Sequence, residues 1–151
     1  MTSWVVADSG LYLTIVLQEP HAVKAAALVE MWKQLDQYAA APYLFRYELV
    51  SVIRKHIARG TLTLKDGHTA LQGLFRYPVE IFTDEALLQR AFELANFYNR
   101  PNAYDATYLA LAEHLGCEFW TADLKLFNAV SSQLEWVKWI GDYVPPQEQN
   151  S

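Results

Sequence analysis

The sequence predicts an α/β fold, a three-layer α/β/α sandwich with a central, mostly parallel sheet. Three observations support this prediction. Short apolar runs alternate along the chain with longer stretches of helical periodicity, an order typical of parallel strands joined by crossover helices. Turn residues separate the two kinds of segment. The chain has 151 residues, 52% of them hydrophobic, which is enough for one buried core.

Strands are predicted where a short apolar run is bounded by turn residues. These runs are residues 4–7, 38–41, 79–82, 117–121 and 135–140. Helices are predicted where apolar residues recur with helical spacing. These stretches are residues 11–18, 21–36, 44–59, 63–75, 85–98, 105–115 and 124–130. Two glycines, Gly67 and Gly73, weaken the fourth helix. The breaks between elements coincide with Pro20, Pro42, Gly60, Asn99 to Asn102 and Gly116.

No internal repeat or linker divides the sequence, so we expect one domain over residues 1–143 and a polar tail over residues 144–151. No stretch approaches the roughly 20 apolar residues that span a bilayer, and no basic segment precedes an apolar run at the start. The single cysteine, Cys117, cannot form a disulfide within the chain. Together these features favour a protein of the reducing cytoplasm.

The charge is unevenly distributed along the chain. The formal net charge of −5 argues weakly against a nucleic-acid partner, because phosphate binding depends on Lys and Arg. Residues 42–77, however, contain six Lys or Arg and two acidic residues, a local balance of 6 − 2 = +4. A surface for nucleic acid and an ordinary solvated helix face are both open interpretations of this segment.

Four acidic residues stand at the ends of buried elements although they are far apart in sequence. Asp8 and Asp123 each follow a short apolar run, and ligands of parallel sheets collect at the carboxyl ends of strands. Asp105 opens a helix, where unpaired amides favour an anion. Helix capping is the alternative interpretation for these three residues, each cap contributing about 1 kcal/mol.

Glu48 does not fit the capping interpretation, because it lies inside a predicted helix among mostly apolar neighbours. A carboxylate in that setting is costly unless it is paired or bound to a metal. The neighbouring Arg46 points to a different face of the helix, so a cation from elsewhere is expected. An all-oxygen site without Cys or His would favour Mg²⁺ or Mn²⁺ over zinc.

Four segments that contain these acids match the motifs of one family in order and spacing. The segments are VVADS at 5–9, PYLFRYEL at 42–49, YDATYLALA at 104–112 and WTAD at 120–123. They resemble the PIN-domain ribonucleases, most closely the VapC-type toxins of bacterial toxin–antitoxin pairs, and the resemblance covers nearly the whole chain. The residue Lys125 falls near a position that is often basic in such proteins, but the pattern does not assign its role.

The resemblance implies a metal-dependent endoribonuclease whose products carry 5′-phosphate and 3′-hydroxyl ends. Asp8, Glu48, Asp105 and Asp123 would be both the catalytic residues and the ligands of Mg²⁺ or Mn²⁺. Glu48 would either bind the metal directly or hold a water on it. Ser9 and Thr121 are candidates for hydrogen-bond donors that support these acids, with capping or turn formation as the alternative.

The resemblance also implies three partners: an RNA substrate, a cognate antitoxin and a second copy of the chain in a homodimer. Trp32, Phe45, Tyr47 and Tyr12 are candidates for lining an antitoxin groove, and ordinary core packing is the alternative for each. Two other function classes are alternatives. A non-catalytic binding module of the same fold would be expected to lose some of the acids. A haloacid dehalogenase-like hydrolase needs an acid two positions after Asp8, where this chain has Gly10.

Overall fold

A computed structural model describes residues 3–146 of the chain. Within this range, five parallel strands form one sheet in the order β3-β2-β1-β4-β5. The strands are β1 (Ser3–Ala7), β2 (Gln37–Pro42), β3 (Val79–Phe82), β4 (Phe119–Thr121) and β5 (Val137–Trp139). The strand order reverses direction between β1 and β4, which is where open parallel sheets form their ligand sites.

The helices connect these strands as crossovers. They are α1 (Ser9–Val16), α2 (Ala22–Gln34), α3 (Phe45–Ala58), α4 (Leu64–Phe75), α5 (Glu85–Phe97), α6 (Tyr104–Leu115) and α7 (Leu124–Val130). Because parallel crossovers are right-handed, the reversal of strand order puts α1 to α4 on one face of the sheet and α5 to α7 on the other. The predicted three-layer α/β/α sandwich with a parallel sheet is therefore confirmed.

The core lies on both faces of the two central strands. Val5, Val6 and Ala7 of β1 are buried, as is Phe119 of β4. The helix α6 is buried along residues 106–112, which explains why its sequence is rich in Ala and Leu without a polar face. The helix α6 packs against β1, β2 and β4. This packing places the first turn of α6 at the carboxyl ends of those strands.

Two predicted features differ from the structure. The last two strands are shorter than predicted: β4 covers Phe119–Thr121 and not residues 117–121, and β5 covers Val137–Trp139 and not residues 135–140, because the chain turns into a short 3-10 helix at Ile140–Asp142. The predicted groove aromatics Trp32, Phe45 and Tyr12 are buried in the core, whereas Tyr47 is exposed. Core packing is thus the correct interpretation for three of the four. Residues 147–151 of the predicted tail lie outside the described residues. No helix in residues 3–146 is long and apolar enough to cross a membrane.

Candidate active site

A cavity of about 620 Å³ opens at the carboxyl edge of the sheet, where β1 and β4 end. Its wall is formed by α1, α3, the segment before α6 and the start of α7. The four acids singled out in the sequence, Asp8, Glu48, Asp105 and Asp123, all line this cavity. The fold therefore gathers carboxylates that are separated by up to 115 positions (123 − 8) in the chain.

Asp8 is held by donors from two elements. It is the N-cap of α1, and its Oδ1 accepts a hydrogen bond from the Leu11 amide at 3.0 Å. Its Oδ2 accepts from the hydroxyl of Thr121, a fully buried residue at the end of β4. The capping interpretation is thus correct for Asp8, but the cap accounts for only one of the two carboxylate oxygens.

Burial raises the pKa of Asp8 from 3.8 to about 6, because the charged form loses its hydration on the cavity floor. The hydrogen bonds from Thr121 and from the amides of Leu11 and Ala122 lower this pKa, whereas the negative charge of Glu48 raises it. Burial is the largest of these effects. A carboxylate with this balance would be stabilised strongly by a nearby cation.

Glu48 lies on the first turn of α3 and points across the cavity toward α6. Its Oε1 accepts hydrogen bonds from the Ser9 hydroxyl at 3.2 Å and from the Tyr108 phenol. Burial raises the pKa of Glu48, the two hydroxyl donors lower it, and the charge of Asp105 raises it. The donors to Oε1 of Glu48 are thus neutral hydroxyls, and neither of them is a charged side chain. The pKa of Tyr108 is raised well above its usual value by burial and by Glu48, which keeps the phenol protonated as a donor.

Asp105 is the second residue of α6 and is not its cap, because the N-cap is Ala103 and makes no side-chain cap bond. One oxygen, Oδ2, accepts a hydrogen bond from Nε of Arg100 at 3.0 Å in a partly buried ion pair. The other oxygen, Oδ1, is buried and has no hydrogen-bond partner among the described residues. A buried carboxylate oxygen without a donor is costly, so this atom identifies a place where a cation would be favoured.

Asp123 is the N-cap of α7, and its Oδ1 accepts from the amides of Lys125 at 2.9 Å and Leu126 at 3.2 Å. The hydroxyl of Thr121 links Asp123 to Asp8, since Thr121 Oγ1 accepts from the Asp123 amide at 2.9 Å and donates to Asp8. The predicted supporting donors Ser9 and Thr121 thus contact Glu48 and Asp8, respectively. Lys125 contributes its backbone amide to this cap.

The side chains as they stand do not form a ready-made metal site. In residues 3–146, no group of three or more His, Cys, Asp or Glu is close enough together to hold a metal ion. In this arrangement, Asp8 and Asp123 accept hydrogen bonds from helix amides, Glu48 accepts from hydroxyls and Asp105 accepts from Arg100. The donor set of the cavity nevertheless remains rich in carboxylate oxygens, with the orphaned Oδ1 of Asp105 among them.

A larger cavity, about 750 Å³, lies at the opposite, amino edge of the sheet between Ser3, Cys117 and Trp136. Two carboxylates line it, and one of them, Glu113, is paired with Arg90 at 2.7 Å on the protein surface. Its size alone therefore does not make it the better candidate. The acid-lined cavity at the carboxyl edge has the perturbed carboxylates and the orphaned oxygen.

Tyr108 and Arg100 contact the acids but were not singled out from the sequence. Tyr108 follows Asp105 by three residues, which puts both on one side of α6, so helical spacing could have identified it. Arg100 lies in the turn before α6, and nothing in its spacing predicts that the side chain folds back onto Asp105. His56, two turns after Glu48 on α3, also lines the cavity.

Comparison with known proteins identifies relatives of this chain. A VapC ribonuclease of Mycobacterium bovis, Mb0985, is 39% identical to the chain over 93 residues, which are 61% of this chain and 70% of the relative. The chain belongs to the VapC ribonuclease family. Ribonuclease VapC9 of Mycobacterium tuberculosis is also 39% identical to this chain over 93 residues. Ribonuclease VapC3 of Pyrobaculum aerophilum is 27% identical over 123 residues, or 80% of the chain and 90% of the relative.

The fold of this VapC family member is also found in a solved structure. The crystal structure of PAE2754 from Pyrobaculum aerophilum superposes with a TM-score of 0.63 and 16% sequence identity. The superposition covers 93% of this chain and 92% of PAE2754. This likeness concerns the fold alone and agrees with a PIN-like α/β/α sandwich. A search against family models gave no match.

Proposed function

We propose that this protein is a metal-dependent endoribonuclease that hydrolyses RNA phosphodiester bonds as the toxin of a toxin–antitoxin pair. The observation that carries the proposal is the convergence of Asp8, Glu48, Asp105 and Asp123 on one cavity at the switch point of the sheet. The names of its relatives, which are ribonucleases, support the reaction class. The wider alternative is a non-catalytic module of the same fold that binds RNA or protein.

The proposed ligands of Mg²⁺ or Mn²⁺ are Asp8, Glu48, Asp105 and Asp123, which offer the hard oxygen donors these ions prefer. A bound divalent cation supplies Lewis-acid activation of water and neutralises charge at the scissile phosphate. Asp105 is the best-prepared ligand, because its Oδ1 is buried and has no partner among the described residues. Thr121 and Tyr108 would hold Asp8 and Glu48 in place by hydrogen bonds from hydroxyls that carry no charge of their own.

Hydroxyl donors suit this role because they orient a carboxylate without cancelling its charge. Asp8 and Glu48 both have raised pKa values, so a cation that approached them would relieve an existing electrostatic penalty. As a hypothesis, Tyr108 keeps its proton and holds Glu48 Oε1, which leaves the second carboxylate oxygen for the cation or for the water that attacks the phosphate.

RNA would approach along α3, whose turns lead away from the acids. Lys55 and Arg59 are exposed and lie close to the side of the helix that carries Glu48, since seven and eleven residues are close to whole numbers of helical turns. Cations there would attract the phosphate backbone toward the cavity in spite of the net charge of −5.

An antitoxin would bind beside the same helix, and a second copy of the chain would bind elsewhere. Tyr43 and Tyr47 are exposed, and their rings lie 5.6 Å apart at the start of α3, an apolar surface suited to an antitoxin segment.

On the opposite layer, α5 exposes Leu88, Phe92 and Phe97, which we propose as part of a homodimer contact.

The test is cleavage of RNA by the purified chain with Mg²⁺ or Mn²⁺ and with EDTA. We expect cleavage only with the divalent ion, and a loss of at least about 100-fold in Asp105→Asn. Asp84→Asn is the matched control, because Asp84 is an exposed N-cap of α5 outside the cavity. Cleavage that persists in EDTA would overturn the metal-dependent mechanism. RNA binding without cleavage under any metal would favour the non-catalytic module.

A further inference from the structure

Among the described residues, Arg100 is the one Lys or Arg side chain that lines the acid cavity, so it is the one side chain there that is always positively charged. The same wall carries five carboxylates: Asp8, Glu19, Glu48, Asp105 and Asp123. His56 is the other basic side chain on it. The pair that Arg100 forms with Asp105 is well shielded from solvent, with 15% of the Arg100 side chain and 22% of the Asp105 side chain exposed. This exposure distinguishes it from ion pairs that contribute little because water screens them.

The turn before α6 holds Arg100 in place from both sides. Its backbone amide donates to the Ala95 carbonyl at 2.8 Å, which anchors the turn to the end of α5. Two residues later, the side chain of Asn102 accepts from the Tyr104 amide at 3.0 Å, which anchors the turn to the start of α6. The guanidinium is thus attached at short range to the same helix that carries Asp105. Its contact with Oδ2 is a built feature of the fold and not a surface encounter.

We propose that Arg100 is a resident counter-ion of the acid cavity that competes with the divalent cation for Asp105. This inference rests on the proposed function, because it takes Asp105 as a ligand of that cation. A guanidinium cannot lose its charge at physiological pH, so it opposes metal binding in one of two ways. Either it gives up Oδ2 to the incoming ion, or it stays and repels a dication that binds at Oδ1 a few ångströms away.

The contacts of the other acids explain why the competition is concentrated at Asp105. Asp8, Glu48 and Asp123 are held by hydroxyls and amides, none of which carries a full positive charge. At Asp105 the partner of Oδ2 is a full positive charge, while Oδ1 has no partner in the described part of the chain. Metal affinity is therefore set low by one side chain, which also stabilises the cluster of carboxylates when no metal is present.

The experiment compares Mn²⁺ binding by the metal-free wild-type chain and by Arg100→Gln, measured by calorimetry and by the rise in melting temperature. We expect Arg100→Gln to bind Mn²⁺ about 5-fold tighter or more, the lower end of typical coupling between two linked sites. Arg90→Gln is the matched control, because it makes the same change in net charge at a distant place. Arg90 forms its ion pairs with Glu93 and Glu113 on the outer surface. Its Mn²⁺ affinity should stay within about twofold of wild type. Arg100→Lys, which keeps the charge, should also bind like wild type.

A second measurement needs no substitution. In the wild-type chain, the NMR signal of the Arg100 Nε–H group should shift as Mg²⁺ is added, with the midpoint found by calorimetry, while the Arg90 signal stays unchanged. Equal or weaker Mn²⁺ binding by Arg100→Gln, or an Arg100 signal that is unmoved at saturating Mg²⁺, would overturn the inference. If neither the wild type nor Arg100→Gln binds Mn²⁺ or Mg²⁺, the metal-dependent function itself fails. If the wild type binds and Arg100→Gln gains nothing, only the role of Arg100 fails.

Discussion

Replacing Asp8 with Asn should stabilise the metal-free protein at neutral pH. Asn is as good an N-cap as Asp, so the hydrogen bond from the Leu11 amide to Oδ1 can be kept. The substitution removes the buried charge whose loss of hydration raises the pKa of Asp8 from 3.8 to about 6. The residue that helps to build the active site is thus expected to lower the stability of the fold in the absence of a cation.

The size and sign of the effect follow from that pKa. A carboxyl whose pKa is higher in the folded than in the unfolded chain favours folding when protonated, and this contribution is complete below 3.8 and lost as pH rises through about 6. The difference corresponds to about 3 kcal/mol, since one pKa unit is equivalent to about 1.4 kcal/mol. Asn also loses the charge-assisted hydrogen bond from Thr121, so we expect a net gain of about 1 to 3 kcal/mol.

The assay is urea-induced unfolding in EDTA at about pH 7.5 and at about pH 4, where the advantage of Asn should largely disappear. Asp123→Asn is the matched control, because Asp123 is also an N-cap that borders the cavity but is exposed. Its free energy of unfolding should change by no more than about 0.5 kcal/mol. An Asp8→Asn protein that is less stable than wild type at pH 7.5, or equally stabilised at both pH values, would refute the reasoning.

Three further predictions concern the donors, the packing and the RNA surface. Tyr108→Phe removes a hydrogen bond that lowers the pKa of Glu48, so the acidic limb of the pH–rate profile for metal-dependent cleavage should move to higher pH; an unmoved limb would contradict the role of Tyr108. In denaturant unfolding, Gly73→Ala should stabilise α4 by about 0.5 to 1 kcal/mol, because its Cβ would meet open space. Gly67→Ala should not, because its Cβ would lie 2.6 Å from Ile57 Cδ1, and equal effects at the two glycines would be unexpected. Lys55→Glu should raise KM for RNA at low salt more than Arg54→Glu does, since Arg54 lies on a different side of α3; similar KM values would remove Lys55 from the RNA path.

The fold could be predicted from the sequence, because the residues at the ends of helices and strands agree with the alternation of apolar segments along the chain. Each strand that was predicted is present, and Thr63, Asp84 and Gly116 cap their helices as their residue types suggest. The last two strands were predicted too long, because no signal within residues 117–121 and 135–140 marks where strand pairing begins or ends. Sequence patterns report which residues are buried more reliably than where an element ends.

The site was only partly accessible. The acids themselves could be selected, because Asp8 and Asp123 follow strands, Asp105 lies at the start of a helix, and Glu48 is a carboxylate among mostly apolar helix residues. Ser9 and Thr121 could be named as supporting donors because each is close in sequence to an acid, but the acid that each one contacts could not, since the bond from Thr121 to Asp8 joins residues 113 positions apart and depends on how the two strands pair. Tyr108 and Arg100 were not predicted as partners. The expectation that Glu48 binds a cation stays a prediction, and the structure adds two hydroxyl donors to its Oε1. Hydroxyls are too common in sequences for the acid that each one contacts to be predicted.

The chemistry of these partners bears on how the site could accept a metal at all. If cations paired with every acid, the cavity would be neutral and would have little attraction for a divalent ion. Neutral donors at Asp8, Glu48 and Asp123 instead preserve the negative charge while reducing the cost of burying it. The raised pKa values of Asp8 and Glu48 measure the cost that remains. A bound cation would recover that free energy, so the stability given up by the metal-free fold becomes part of the affinity for the ion. On the proposed metal-dependent function, the guanidinium of Arg100 at Asp105 would limit this exchange, and the balance between the two effects would determine the metal concentration at which the site fills.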